Sequence, residues 1–227
     1  MDSEKEGIQK QAVEDYLKTI YLLAQEETPV STSRIALTRK IKPPSVTNML
    51  QKLAKSNFVN YRKHFGVTLT KAGTSIALNV LRKHRLVELF LTQELDFSWE
   101  EVHDEAEVLE HVISEQLANR ISDRLNEPQY DPHGEPIPTK NGDIPKTEGV
   151  PLATLKVGMR GVIERINDDS NRKLLKYLLE KNIVPGSVIE IIHLTPIDGL
   201  ITVKIQNSKH VVGNQIGEKV FVKAVKE

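Results

Sequence analysis

At 227 residues, 39% of them hydrophobic and 27% charged, the chain has the length and make-up of a soluble protein of two or three compact units. It has no cysteine, which excludes disulfides, thiolate zinc fingers, iron–sulfur clusters and cysteine nucleophiles, so any metal must be held by nitrogen and oxygen. No apolar run approaches the ~20 residues a membrane span needs, and the polar start MDSEKEGIQKQ has no secretory pattern, so a cytoplasmic protein with no membrane partner is expected.

The elements follow in order. Val13, Leu17, Ile20, Tyr21 and Leu23 are spaced for an amphipathic helix over 11–25. Ser31 or Thr32 can cap a second, short helix through residue 39, and Pro44 opens a third, over 44–56, with Val46, Met49, Leu50 and Leu53 facing inward. Alternation in FVNYRKHFGVTLT predicts a hairpin turning at His64–Gly66, the wing of a winged helix-turn-helix. Thr70 can cap a long helix over 71–95, and Ser98 with Glu101 forms a capping box for one running to about residue 117; residues 118–125 continue it or form a short helix of their own. Residues 127–151, with six prolines and three glycines, read as a linker with some local order. Five short strands (158–166, 187–194, 200–206, 209–212 and 220–225) and a helix over 171–181 then suggest a small β-barrel of the SH3 sort. The fold class expected is α+β multidomain: an N-terminal winged helix-turn-helix (1–72), an all-α dimerisation and metal-binding domain (73–140), a linker (141–150) and a C-terminal SH3-like β-barrel (151–227).

The net charge of zero hides two blocks of opposite sign. Residues 28–87 carry twelve Lys and Arg and no Asp or Glu, whereas residues 88–135 carry fourteen acids and two bases. A basic block suits a polyanion and an acidic block suits cations. In a helix-turn-helix the first turns of the recognition helix meet base edges, which points to Lys42, Pro44, Ser45, Thr47, Asn48 and Lys52, with Asn48 able to read a base. Arg39, Lys40, Arg62 and Lys63 are placed to hold phosphates.

The acidic block carries a second pattern. His84 and Glu88 are four apart, and His103, Glu107, Glu110 and His111 form a stripe at i, i+4, i+7 and i+8, so two packed helices would gather imidazoles and carboxylates. Any one of these is more often a solvated charge; six in phase on adjacent helices favour a metal site. A metalloprotease would need H-E-x-x-H, which is absent because Asp104 follows His103. A ferritin-like site would need two helical Glu-x-x-His motifs; Glu100–His103 is one, and Glu190–His193 falls in a strand. A helical metalloenzyme or metal buffer also leaves the basic winged helix without a purpose.

At VEDYLKTIY, RKHRLVE and VHDEAEVLEH the chain resembles the diphtheria-toxin-repressor family of iron and manganese regulators, along essentially its whole length. The resemblance implies a non-enzymatic, metal-dependent repressor of metal-uptake genes. It would bind double-stranded operator DNA as a homodimer, with no small-molecule substrate. It also implies a primary regulatory site of Asp15, Glu107, Glu110 and His111, and an ancillary site of His84, Glu88 and His103. The linker motif Asp131-Pro132-His133-Gly134 resembles the Pro-His-Gly branch, which adds His133, and less strongly Asp131, to the ancillary site; Asp168 is the matching ligand from the last, FeoA-like domain. Asp15 and Glu107 stand where iron-sensing members carry sulfur donors. Harder carboxylates favour Mn(II), with Fe(II) the alternative and other divalent transition metals expected to bind in vitro. Lys18 replaces a carboxylate that bridges two ions in some manganese members, which argues against a close ion pair of that sort here.

Overall fold

A computed structural model describes residues 2–195 and 197–224, with side chains described from residue 10 onward. The chain divides into two compact units, Met1–Lys83 with Pro138–Asp143, and His84–Ile137 with Ile144–Glu227.

The first unit holds α1 (Asp2–Leu23), α2 (Thr32–Thr38), α3 (Pro43–Lys55) and a hairpin of β1 (Val59–Arg62) and β2 (Gly66–Leu69). Helix α1 begins nine residues before the expected start at residue 11, because Glu, Lys and Gln are good helix formers. Ser31 caps α2 by accepting from the Arg34 amide at 3.1 Å, and Pro43 and Pro44 occupy the first turn of α3, where a missing N–H costs nothing. Leu17, Ile20, Ile35, Val46, Leu50, Leu53, Val59 and Val67 form one core, which locks α3 by its apolar face and leaves its other face in water. The hairpin pairs Val59 with Leu69 and Arg62 with Gly66. Gly66 has φ +109°, and a Cβ there would lie 2.6 Å from the Val30 carbonyl, so only glycine lets Val67 pair with Val30.

Helix α4 (Lys71–Glu94) starts in the first unit, where the Thr70 hydroxyl accepts from the Gly73 amide at 3.2 Å, and enters the second at His84. The second unit adds α5 (Val102–Leu109) and α6 (Glu115–Arg124), packed through Val87, Leu91, Val102 and Ala106 on one side and Leu86, Leu89, Ile121 and Ile137 on another. The single helix expected from Ser98 to about residue 117 is therefore two. Ser114 accepts from the Leu117 amide at 3.1 Å and starts α6 afresh, and Glu110 and His111 sit in the turn between helices. Ser98 is not the cap of α5 either: its hydroxyl bonds the Glu101 side chain, and Glu101 occupies the cap position.

The remainder of this unit is β3 (Val150–Pro151), β4 (Arg160–Ile166), α7 (Arg172–Glu180), β5 (Val188–Thr195), β6 (Leu200–Ile205), β7 (Ser208–Gly213) and β8 (Val220–Ala224). The strands form one antiparallel sheet in the order β3-β8-β4-β5-β6-β7, bent by irregularities at Ile163/Arg165 and Ile191/His193. Leu175 and Leu178 of α7 pack into the core with Ile163, Ile166, Ile191 and Val203. Among the described residues the sheet does not close on itself, with the two-residue β3 at one end and β7 at the other, an arrangement consistent with the SH3-like module expected. Among the described residues no helix is long and apolar enough to cross a membrane.

Candidate metal centre and nucleic-acid interface

In the first unit, Lys42, Pro44, Ser45, Asn48 and Lys52 are exposed along the outer face of α3, and Thr47 is half-buried beside them. Lys40, with φ +53°, turns the chain from α2 toward α3 and is exposed, as are Arg62 and Lys63 at the hairpin tip. Arg62 stacks 3.9 Å above the exposed Phe65 ring, which holds its guanidinium outward. Exposed bases on α3, before it and at the hairpin tip, together with exposed polar side chains on α3, are what backbone contacts plus base readout require.

Arg39 differs from its expected place. Its guanidinium donates to the Asp15 carboxylate at 3.1 Å and to the Thr19 hydroxyl at 3.3 Å, and lies 4.8 Å from the Tyr16 ring centre. It is an internal tie between α1 and the end of α2, and Asp15, on the half-buried side of α1, is its partner. Sequence could not separate the two roles, because an arginine beside a basic turn carries the same charge whether it faces water or a carboxylate.

The second unit gathers the other candidates around Glu88 of α4. Glu88 is fully buried; its Oε1 lies 3.0 Å from His84 Nε2 and 3.4 Å from His103 Nδ1, and its Oε2 lies 3.9 Å from His133 Nδ1. One ligand atom from each of His84, Glu88, His103 and Asp169 falls within 4.8 Å of the others, and the same holds for Glu88, Asp131 and His133. Asp169 takes the place expected for Asp168. The Asp168 carbonyl and carboxylate instead face the amide and side chain of Asn171, which caps α7, so Asp168 is used in the turn and its neighbour faces the histidines. The adjacent pair of aspartates was the signal available in sequence, but which of two consecutive side chains points inward is set by the turn.

The opposite side of His84 meets the second stripe. Its Nδ1 lies 2.5 Å from Glu110 Oε2 and 3.8 Å from Glu107 Oε1, and His111 Nε2 lies 3.2 Å from Glu110 Oε1. Glu107 Oε1 is also 3.8 Å from His103 Nε2, so this acid sits between both groups of ligands.

The proline-rich segment supplies its part through ordered backbone. Asp131 Oδ1 accepts from the amides of His133 and Glu135, the His133 carbonyl accepts from the Ile166 amide at 2.8 Å, and His133 Nε2 lies 3.0 Å from the Trp99 carbonyl. The Trp99 indole donates to the Pro132 carbonyl and packs 5.1 Å from the His133 ring.

The electrostatics fit a divalent cation. Both Glu88 oxygens, His103 Nδ1, His133 Nδ1 and Asp131 Oδ2 are buried without a hydrogen-bond partner, an arrangement too costly to leave uncompensated. Burial alone would raise the Glu88 pKa, but the charge of His84, close contacts from His103 and His84, and the charge of His133 hold it well below the usual carboxylate range. Burial and then the Glu88 charge push Asp131 well above that range, against the opposing pull of Arg85. Burial would lower His103, yet the Glu88 contact and the Asp169 charge outweigh it and raise the pKa. Two carboxylates and three imidazoles converge here, and Arg85 Nε lies 3.6 Å from Asp131 Oδ2. Oxygen and nitrogen donors without sulfur suit Mn(II), Fe(II) or Zn(II).

Comparison with known proteins covers the same segments. Residues 10–67 match the model of the iron dependent repressor N-terminal DNA binding domain, residues 70–139 that of the iron dependent repressor metal binding and dimerisation domain, and residues 150–224 the FeoA domain. The iron-dependent repressor of Mycobacterium leprae is 30% identical over 191 residues, spanning 78% of this chain and 82% of that protein. The diphtheria toxin repressor of Corynebacterium diphtheriae is 31% identical over 208 residues, spanning 87% and 90%. A manganese-dependent transcriptional repressor solved in complex with manganese superimposes with a TM-score of 0.87 at 35% identity, over 94% of this chain and all of that one. A structure of ScaR with bound Cd2+ gives 0.82 at 30% identity, over 94% and 99%.

Proposed function

The chain belongs to the iron-dependent repressor family, as a metal-dependent transcriptional repressor with a C-terminal FeoA domain and not an enzyme, and from that premise we propose that it is a manganese-responsive repressor of metal-uptake genes, active on operator DNA as a homodimer. The observation that carries the metal part is the fully buried Glu88 carboxylate, with three imidazoles within 3.9 Å of its oxygens.

Glu88, His103, His133, Asp131 and Asp169, with His84, are the ancillary ligands in this reading; Asp169 replaces Asp168 in the set. Asp15, Glu107, Glu110 and His111 are the regulatory ligands, as the resemblance implies. The bound ion supplies the positive charge that lets these carboxylates share one place. Without that charge the arrangement of the two winged helices that fits both half-sites is rarely populated. Asn48 and its neighbours on α3 read the major groove, while Lys40, Arg62 and Lys63 set register on phosphates.

The choice of manganese over iron is supported by the sulfur-free ligand set and by the similarity to a manganese-dependent repressor solved with manganese. Dimerisation is supported by apolar side chains left exposed around α5 and α6, Val108 at 64%, Val112 at 72% and Leu117 at 47%. Gel-shift titration against the DNA upstream of its own gene, with Mn(II), with Fe(II) and with neither, tests the proposal. A retarded complex that forms only with metal is expected, at lower Mn(II) than Fe(II). Binding that ignores metal would refute it, and so would a protein that takes up metal but never retards the DNA.

A further inference from the structure

The proline-rich segment presents Asp131 and His133 to Glu88, and a chain of ion pairs fixes that segment on both sides. Glu135 lies between two arginines: its Oε2 is 3.0 Å from Arg85 of α4 and its Oε1 is 2.9 Å from Arg165 of β4. Arg85 is 5% exposed, donates also to the Pro136 carbonyl, and faces Asp131 Oδ2. Arg165 is held in turn by the Phe221 ring, 3.6 Å below its guanidinium. The Glu135 amide donates to Asp131 Oδ1, so the residue that links the arginines also closes the turn carrying His133.

We infer that Glu135 is a positioning residue for the ancillary centre: by bridging Arg85 and Arg165 it clamps the 131–136 turn between α4 and the FeoA-type sheet, and so sets how well Asp131 and His133 can bind a divalent cation. This rests on the ancillary-site reading above. The physical case is that a ligand on an irregular segment is only as well placed as its supports. Altering an outer partner of this kind typically weakens metal binding by about 10- to 100-fold. A carboxylate alone can satisfy two guanidinium groups at once; a glutamine would offer an oxygen to one and a repelling NH2 to the other.

The test is Mn(II) titration of the full-length protein, with free ion counted by electron paramagnetic resonance. Trp99 emission, from the one tryptophan of the chain, reports the centre next to His133. Glu135→Gln and, separately, Arg165→Met are expected to weaken the Trp99-reported Mn(II) binding by about 10-fold or more. The Mn(II) equivalent that Asp15→Asn removes should keep its affinity, and circular dichroism of the metal-free protein should be unchanged. Unaltered Trp99-reported binding in both variants would overturn the inference. Equal weakening of both equivalents would overturn it too, since that marks general damage. Glu88→Gln separates the two readings: if it leaves the Trp99-reported binding intact, the ancillary site and the clamp both fall. If Glu88→Gln abolishes that binding while Glu135→Gln does not change it, the clamp alone falls.

Discussion

Replacing Gly134 by alanine gives a sharp test of how the second unit builds its metal centre. Gly134 has φ +83°, and a Cβ there would meet the Glu164 carbonyl oxygen at 2.0 Å and the Arg165 Cα at 2.8 Å. Real Cβ contacts stay above 3.0 Å, so the turn must lift from β4 by about 1 Å. The hydrogen bond from the Ile166 amide to the His133 carbonyl, 2.8 Å long, would then exceed hydrogen-bonding distance. The left-handed backbone costs roughly 1–2 kcal/mol for a residue with a Cβ, and an orphaned buried amide costs about 1–3 kcal/mol more. Together these disfavour the seated turn by roughly 2–5 kcal/mol. If only the seated form holds metal through Asp131 and His133, apparent affinity falls with its population, by about 10-fold or more once the unseated form dominates. Mn(II) titration followed by Trp99 emission measures this directly. Wild-type affinity in Gly134→Ala would show that the seating of His133 does not matter to the centre.

Other outcomes follow from the same contacts. The raised pKa of His103 means that protons compete with metal: as pH rises through its folded-state value, above the ordinary ~6.5, the imidazole becomes free and ancillary Mn(II) affinity should increase. In the metal-free protein the sign is opposite, since the stability His103 contributes is full below ~6.5 and is lost as pH rises through that folded value; flat Mn(II) affinity from pH 6 to 8 would contradict this. Arg39→Met should leave the salt dependence of operator binding at saturating metal unchanged, because its guanidinium is spent on Asp15 and Thr19; a slope smaller by about 1 would return Arg39 to the phosphate contacts. Lys63→Ala should reduce that slope by about 1 for every sequence, while Asn48→Ala should cost about 1–3 kcal/mol at one base position and relax preference there, both read by binding to a panel of operator variants.

The parts of the fold written in local chemistry were legible in the sequence. Ser31 and Thr70 cap the helices they precede, the double proline opens α3, and the hairpin turns at His64–Gly66. The pairing of His84 with Glu88 followed from helical spacing, since neighbours four apart on a helix share a face, while the grouping of His103 with them was implied by the family resemblance. What sequence hid depended on competition between neighbours or on partners far along the chain. Periodicity ran across residues 110–114 because no proline or glycine marks the break, and only the Ser114 cap reveals it. Proline content suggested a linker with some local order, and the contacts that give it that order, at Asp131, Gly134 and Glu135, reach partners that sequence does not name. Asp168 and Asp169 are equivalent in composition and differ only in which way a turn points them. The SH3-like module expected at the C-terminus is there, as a sheet whose ends do not pair among the described residues, a detail that strand count and alternation do not state.

Linkage offers the most direct test of the central claim that metal occupancy and operator binding are one equilibrium in this chain. The measurement is Mn(II) affinity of the protein with and without saturating operator DNA, in the same buffer and salt. The account predicts tighter Mn(II) binding on the operator, by the same factor by which Mn(II) tightens operator binding. Identical Mn(II) affinity in the two states would contradict it.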